Sequence, residues 1–218
     1  VAADKMTWTF KLRQGLVWSD GKPLTADDVV FTFQVIYDPD VPNPAIDLLK
    51  VDGKPFLVTK LDALTVQFVT PGPCAPFEEN VGNRPILPKH ILAGKLAAKK
   101  FVSAYGVDTP PAELVGSGPF KLKQHKAGEF TLLERNPEYW TTDRAGRRLP
   151  FLDEVQIVVA TNAAAVVESF LAGQSDVCER LPAEDFARVQ AAAAEARVRL
   201  VELGPGAQRD FLWFNQNT

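Results

Sequence analysis

The stretch WTFKLRQGLVWSDGKPLTADDVVFTF, from Trp8 to Phe33, predicts the first strands, turn and helix of this 218-residue chain. Over 7–12 its apolar residues alternate with polar ones, which predicts a half-buried β-strand. A short second strand is predicted over 16–18, and the turn formers SDGKP follow it, with Gly21 supplying a positive φ. The first half of the stretch therefore predicts two strands that end in a tight turn.

The second half of the stretch predicts a capped helix. Thr25 stands at the N-cap position, and Asp28 three residues later completes a capping box. Apolar residues then recur at helical spacing as far as Tyr37, with a second apolar flank beside the main one. We therefore expect this helix to be covered on more than one side, and we expect replacement of Asp28 to lower stability before it lowers affinity.

The remaining sequence divides into two parts with different patterns. Before Gly116, an alternating hairpin is predicted over 55–70 and a helix over 95–105. After it, a hairpin over 120–132 leads into alternating elements: strands over 153–160, 175–178, 197–203 and 210–215, and helices over 163–172 and 182–194. Such alternation predicts a sheet covered by helices. We therefore predict two subdomains, 1–115 and 116–218.

Composition limits the classes of partner. The formal net charge of −3 leaves no basic surface field that could hold a nucleic acid backbone. No run reaches the roughly 18 consecutive apolar residues of a membrane span, and the first ten residues lack the pattern of a signal peptide. The chain does not begin with Met, and a strand is already predicted from residue 7. We therefore expect it to be a piece of a longer protein. Small molecules or proteins are the favoured partners.

Groups suited to catalysis are sparse. Ser117 lies in VGSGP, but a nucleophile elbow would have glycine at the position of Val115. His90 and His125 have no cysteine or carboxylate around them at the spacing of metal ligands. Adjacent aspartates on a helix point to different sides, so 27–28 fits capping better than acid–base chemistry. We therefore expect no enzymatic activity, no cofactor and no bound metal.

The cysteines and tryptophans are interpreted mainly as packing residues. Cys74 and Cys178 match no metal or redox spacing, and free thiols are favoured over a disulfide between them. Trp213 is the best candidate for ligand contact, because it lies in the last predicted strand. The other tryptophans have apolar neighbours and are predicted to be core residues: Trp8, Trp18 and Trp140.

Taken together, these segments resemble family 5 of the extracellular solute-binding proteins, the peptide- and nickel-binding components of ABC importers. The opening stretch is similar to the family's signature block, in which a strand ending in F-x-L-R-x-G leads to D-G-x-P-x-T-A-x-D-V on a capped helix. Later segments resemble successive blocks in the same order: PILPKHI (85–91), GSGPFKLKQHKAGEFTLLERNPEYW (116–140), LDEVQIVV (152–159), FLAGQSDV (170–177) and FLWFNQNT (211–218). The resemblance covers essentially the whole chain.

The resemblance implies an α/β fold of the type II periplasmic-binding-protein kind: a mixed sheet with flanking helices, plus a hairpin-rich α+β accessory subdomain. Family members resemble two-lobed clamps that close over a solute. On this basis we expect the chain to be a first lobe that lacks the second one. Its accessory subdomain would be 1–115, and its main subdomain, 116–218, would end at the interlobe hinge strand.

The function implied by the resemblance is the substrate-binding component of an ABC importer. Such a protein captures a peptide or a similar small solute without bond chemistry and delivers it to a membrane permease. We expect a monomer in the periplasm or outside the cell, with anchoring as a lipoprotein left open. The blocks do not distinguish dipeptides, oligopeptides, nickel chelates and oligosaccharides.

Five residues are the candidates for ligand contact under this resemblance. The backbone of Gly116, Ser117 and Gly118 is expected at the interlobe edge, and Trp213 and Asn215 are expected at the hinge strand. For the two glycines, a tight turn before a hairpin is an equally good explanation. The resemblance implies that much of the remaining ligand contact comes from residues of the second lobe.

Two other classes of function stay open. The first is a ligand-sensing domain of the same fold in a regulatory or chemoreceptor system. An upstream helix-turn-helix would indicate that class, whereas an upstream signal peptide with a lipid-attachment cysteine would exclude it. The second is a hydrolase, which is disfavoured because the sequence offers no activated nucleophile, metal cluster or facing carboxylate pair; turnover of peptides would indicate it.

Overall fold

The computed structural model describes residues 1–106, 108–179, 181–195 and 197–201. The chain divides into two compact units, 1–158 and 159–218, and each is described by itself. The subdomain boundary expected near Gly116 lies within the first of these units and stays a prediction.

The first sheet of unit 1 contains three antiparallel strands in the order β1–β5–β4. Strand β1 is Thr7–Lys11, as the alternation predicted. A small ribbon of β2 (Lys50–Val51) and β3 (Lys54–Pro55) comes next in the chain. The predicted hairpin then forms from β4 (Leu57–Lys60) and β5 (Thr65–Val69).

The strand predicted over 16–18 is wrong. Val17 forms only an isolated bridge with Pro23. The reason is that the turn closes on itself: the N–H of Trp18 donates to the carbonyl of Lys22 at 2.8 Å, and the N–H of Gly21 donates to the carbonyl of Trp18 at 2.9 Å. Gly21 has φ +78°, as predicted.

Helix α1, Ala26–Ile36, begins with the predicted capping box. The hydroxyl of Thr25 accepts the N–H of Asp27 at 3.3 Å, and the N–H of Thr25 donates to the carboxylate of Asp28 at 2.8 Å. The helix is buried on two flanks, which confirms the expectation of two-sided covering. One flank, which carries Val29 and Phe33, packs against the first sheet. The other flank, which carries Phe31 and Val35, packs against Leu92.

Phe77 lies at the centre of the core beneath the first sheet. It is the first residue of helix α2 (Phe77–Gly82) and is fully buried. Its ring stacks on Trp8 with centroids 4.4 Å apart, and Phe68 meets it edge-on at 5.6 Å. The short helix is thus held to the sheet mainly through one aromatic side chain.

Helix α3 spans Lys89–Ala97, so the prediction of a helix over 95–105 was placed too late. Tertiary contacts fix its start, because the N–H of Lys89 donates to the Asp28 carboxylate at 3.0 Å. The hydroxyl of Thr32 accepts the N–H of Leu87 at 2.9 Å. The PILPKHI segment is thereby held along α1, and a short 3₁₀ turn, Phe101–Ser103, follows α3.

The second sheet of unit 1 has the order β6–β7–β8. The predicted hairpin forms from β6 (Phe120–Lys126) and β7 (Phe130–Arg135), with Gly128 at φ +73° in its turn. Strand β8 (Glu154–Val158) pairs with β7. Every strand pair in the described ranges is antiparallel.

The regular elements of unit 2, over its described residues, are helices. Helix α4 (Ala163–Leu171), predicted over 163–172, is capped by Asn162, whose side chain accepts the N–H of Ala165, and Gly173 at φ +73° follows its end. A 3₁₀ turn, Ala183–Asp185, leads into α5 (Phe186–Ala194).

Two of the strands predicted for this unit do not form where the structure describes them. Residues 175–178 are irregular, and Val177 is 71% exposed, so this segment has no buried face to place in a sheet. The described part of 197–203, residues 197–201, is also without strand structure. The strand predicted over 210–215 lies outside the described residues.

Candidate functional site

The predicted ligand edge, residues 116–118, is held by hydrogen bonds at both ends. Ser19 and Gly116 exchange two of them: the N–H of Ser19 donates to the Gly116 carbonyl at 2.8 Å, and the N–H of Gly116 donates to the Ser19 hydroxyl at 3.2 Å. At the other end, the side-chain amide of Asn136 donates to the Gly118 carbonyl at 2.8 Å. Because Asn136 is itself buried, the edge is anchored to the core of unit 1.

Backbone groups between these two anchors carry no hydrogen bond to any described residue. Within the part of the chain that the structure describes, no partner engages the N–H or the carbonyl of Ser117, or the N–H of Gly118. The three residues of the edge are half-buried. Backbone N–H and carbonyl groups are strong hydrogen-bonding groups, so this edge can bond the main chain of another molecule.

The glycines of the edge are not required by the backbone conformation. Neither Gly116 nor Gly118 has a φ in the left-handed region. Among the described residues, a Cβ atom at Gly116 would meet no atom within 4 Å, and one at Gly118 would come no closer than 3.9 Å, to the carbonyl of Phe120. The tight-turn explanation therefore has no support in the geometry, whereas the missing side chains leave room for close approach. Ligand contact at this edge stays a prediction.

The tryptophan predictions have different outcomes. Trp18 is 1% exposed and Trp8 stacks on Phe77, so both are core residues as predicted. The core prediction for Trp140 is wrong: it is 47% exposed, and the Arg13 guanidinium lies 4.4 Å from its ring centroid. Trp140 follows the end of β7 and so has no place in the sheet. Trp213 and Asn215 lie outside the described residues.

The two histidines have hydroxyl or carboxylate partners. His90 lies with Nε2 2.8 Å from the carboxylate of Asp20, and Nδ1 of His125 lies 3.0 Å from the hydroxyl of Thr131. Partial burial disfavours ionisation of Asp20, but hydrogen bonds from His90 and from the N–H of Lys22 outweigh it and lower the pKa of that carboxyl. His90 therefore fastens a turn to helix α3.

The described ranges contain neither a metal-binding cluster nor a membrane-spanning helix. There, no group of three or more His, Cys, Asp and Glu side chains is arranged to hold a metal ion. Likewise, none of the helices described has both the length and the apolar character needed to cross a bilayer. Cys74 and Cys178 are free and half-buried, and burial raises the pKa of the Cys74 thiol.

Sequence reasoning missed the two residues that hold the edge. Ser19 was included among the turn formers SDGKP, and Asn136 lies just beyond the hairpin predicted over 120–132. Ser19 is 97 positions from Gly116, so no local pattern could connect them. A buried asparagine needs hydrogen-bond partners, but the sequence gives no sign that Asn136 is buried.

Comparison with known proteins relates the whole chain to one family. The family model described as bacterial extracellular solute-binding proteins, family 5 Middle, matches residues 1–218. A probable ABC transporter-binding protein from Deinococcus radiodurans is 32% identical over 225 residues, which cover 99% of this chain and 38% of that protein.

Solved structures of similar fold give the same relationship. The ABC transporter substrate-binding protein CtaP from Listeria monocytogenes has a TM-score of 0.71 at 31% identity, over 88% of this chain and 36% of that one. The oligopeptide-binding protein AppA from Bacillus subtilis, solved in complex with a nonapeptide, has a TM-score of 0.69 at 28% identity, over 86% and 35%. The chain thus spans little more than a third of the length of these relatives.

Proposed function

This chain belongs to the bacterial extracellular solute-binding proteins of family 5, and we propose from that premise that the full-length protein is the substrate-binding component of an ABC importer. The chain has the type II periplasmic-binding-protein fold, as its structural relatives do. The observation that carries the proposal is the family match over residues 1–218.

Peptides are the proposed class of solute. The AppA structure contains a nonapeptide, and that protein is 28% identical to this chain. The edge at 116–118 suits such a ligand, because one residue, Ser117, offers both an N–H and a carbonyl without a partner among the described residues. An extended peptide can add to such an edge through its own main chain, as in β-strand addition.

The proposed mechanism is reversible capture without bond chemistry. The chain forms one lobe of a clamp, a second lobe closes over the peptide, and the closed form is recognised by a membrane permease. In this proposal the protein is a non-enzymatic monomer that works in the periplasm or at the outer surface of the cell, free or anchored through a lipid.

A thermal-shift screen of the full-length protein tests the proposal. The solutes are tripeptides, nonapeptides, nickel chelates and oligosaccharides at matched concentrations. A ligand present at 100 times its Kd stabilises the folded state by about 2.7 kcal/mol, so a true solute gives a clear rise in Tm. We expect peptides to raise Tm. A rise with sugars or chelates alone would contradict the peptide class, and no rise with any solute would contradict the function.

The Gly118→Ala variant tests the edge itself. The new Cβ fits the folded chain, so we expect the free energy of unfolding to change by less than about 0.5 kcal/mol while peptide affinity falls. Gly106→Ala is the matched control, because Gly106 also has an ordinary φ and free space for a Cβ. Equal peptide affinity in both variants would exclude close approach of the ligand at Gly118.

A further inference from the structure

We propose that Ser19 is a positioning residue for the ligand edge at 116–118, so that the signature block takes part in solute binding through its turn. The inference rests on the proposed function, and it goes beyond it because the turn at 18–22 otherwise has only a structural role.

The turn that carries Ser19 is rigid. Its backbone is closed by the hydrogen bonds between Trp18 and Lys22 and between Gly21 and Trp18. Beneath it, Trp18 is 1% exposed and packs in one cluster with Val115, the residue directly before the edge. The turn and the start of the edge therefore share one small core.

A neighbouring helix holds the same turn from another side. One carboxylate oxygen of Asp20 accepts the N–H of Lys22 at 3.2 Å, and the other lies 2.8 Å from Nε2 of His90 on α3. The ring of His90 also lies 6.3 Å from that of Trp18, measured between centroids. Ser19 is thus fixed between two residues that are themselves anchored.

Two hydrogen bonds between Ser19 and Gly116 connect this rigid turn to the edge and restrict the edge's backbone. The bond donated by the N–H of Ser19 belongs to the backbone and survives any side-chain substitution. The bond accepted by the hydroxyl does not: without it, the half-buried N–H of Gly116 loses its partner. Because Gly116 has no side chain to hold it, the orientation of the neighbouring Ser117 N–H and carbonyl then becomes less defined. Loss of the hydroxyl therefore makes the edge less ordered and leaves the core packing unchanged.

The test compares Ser19→Ala, Ser19→Thr and the control Ser103→Ala in the full-length protein. The control removes a hydroxyl whose one hydrogen bond to a described residue is donated to the nearby carbonyl of Lys100 at 3.2 Å. The probe is the synthetic tripeptide or nonapeptide that gives the largest thermal shift with the wild type. Kd is measured by calorimetry well below each variant's Tm, and hydrogen exchange is measured for the peptide fragment that contains 115–118.

We expect Ser19→Ala to weaken binding about five- to tenfold, because its less ordered edge must become ordered when the peptide binds. Exchange at 115–118 should become faster. Ser19→Thr, which keeps the acceptor oxygen, should bind within about twofold of the wild type, and Ser103→Ala should be unchanged.

The results that would contradict the inference alone differ from the result that would also contradict the proposed function. Wild-type affinity and exchange in Ser19→Ala would overturn the inference alone, as would an equal loss in Ser19→Thr, because the acceptor oxygen would then be irrelevant. An unfolded Ser19→Ala protein would also overturn it by making Ser19 a residue of the fold. Failure of the wild type to bind any peptide would overturn the proposed function and the inference together.

Discussion

Asp28 joins the cap of one helix to the start of another. One carboxylate oxygen accepts the N–H of Thr25 and the other accepts the N–H of Lys89, and the residue is buried. We expect Asp28→Ala to lower the free energy of unfolding by about 2–3 kcal/mol, because two part-buried N–H groups lose a charged partner. Urea unfolding followed by circular dichroism measures the change.

Asp27→Ala is the matched control for this prediction. Asp27 pairs with Lys60 and Lys89 at the surface, with 43% of its side chain exposed, so its loss should cost less than about 1 kcal/mol. Equal losses from the two substitutions would contradict the structural role given to Asp28.

Tyr37 provides a prediction for alkaline pH. Its hydroxyl donates to the carbonyl of Leu49 at 2.7 Å and accepts the N–H of Phe56 at 3.2 Å. Burial raises the pKa of Tyr37 to about 12, although the bond from Phe56 acts in the opposite direction. Because the folded pKa lies above the unfolded value of about 10, this group's stabilisation is complete below pH 10 and is lost as pH rises through 12.

The Tyr37→Phe variant isolates that effect. At pH 8 we expect it to be less stable than the wild type by about 1–2 kcal/mol, because it leaves two buried backbone groups without a partner. The difference in unfolding free energy should shrink as pH rises from 10 to 12. A difference that stays constant over that range would show that the Tyr37 hydroxyl does not titrate as described.

Single residues also show the limit of sequence reasoning. Thr25 and Asp28 were predicted correctly because a capping box lies within four consecutive positions. Ser19 and Gly116 could not be paired in advance, since 97 positions separate them and either residue alone is an ordinary turn former. The glycines of the edge were recognised as candidates, but only the backbone geometry shows that neither adopts the left-handed conformation that requires glycine.

At the scale of elements, helix α2 depends on Phe77 for its attachment. Phe77 is fully buried among Trp8, Phe68 and other aromatic rings of the first core. We expect Phe77→Ala to lower the free energy of unfolding by about 3–5 kcal/mol, the range for large-to-small changes of a buried phenylalanine. Thermal and urea unfolding of the two proteins measure it.

Phe151→Ala serves as the control for that substitution. Phe151 is 57% exposed, and its ring is contacted by Arg147 at 5.0 Å. Losing this exposed cation–π contact should cost about 1 kcal/mol or less. A cost for Phe77→Ala no larger than that for Phe151→Ala would mean that α2 is not held through this side chain.

Elements that form through local interactions were predicted accurately, whereas elements that depend on residues distant in sequence were not. The hairpins β4–β5 and β6–β7 were predictable because alternation and a turn specify a local register. Helix α3 begins six residues before its predicted start, since a distant carboxylate on α1 fixes it. The predicted strand at 175–178 fails because its four residues, SDVC, have no buried face to place in a sheet.

At the scale of the whole molecule, the chain spans little more than a third of the length of its relatives. In the proposed clamp a second lobe covers the peptide, so one lobe leaves much of the ligand in water. We expect the 218-residue chain alone to give no thermal shift with peptides that shift the full-length protein. Micromolar binding by the chain alone would contradict the need for a second lobe.

In the proposed function the full-length protein binds a peptide and releases it unchanged. Calorimetric titration of the full-length protein with the peptide selected by the thermal-shift screen, followed by mass spectrometry of that peptide, distinguishes this reversible binding from turnover. We predict a saturable one-to-one isotherm and full recovery of the intact peptide. A cleaved peptide, or no saturable binding, would contradict it.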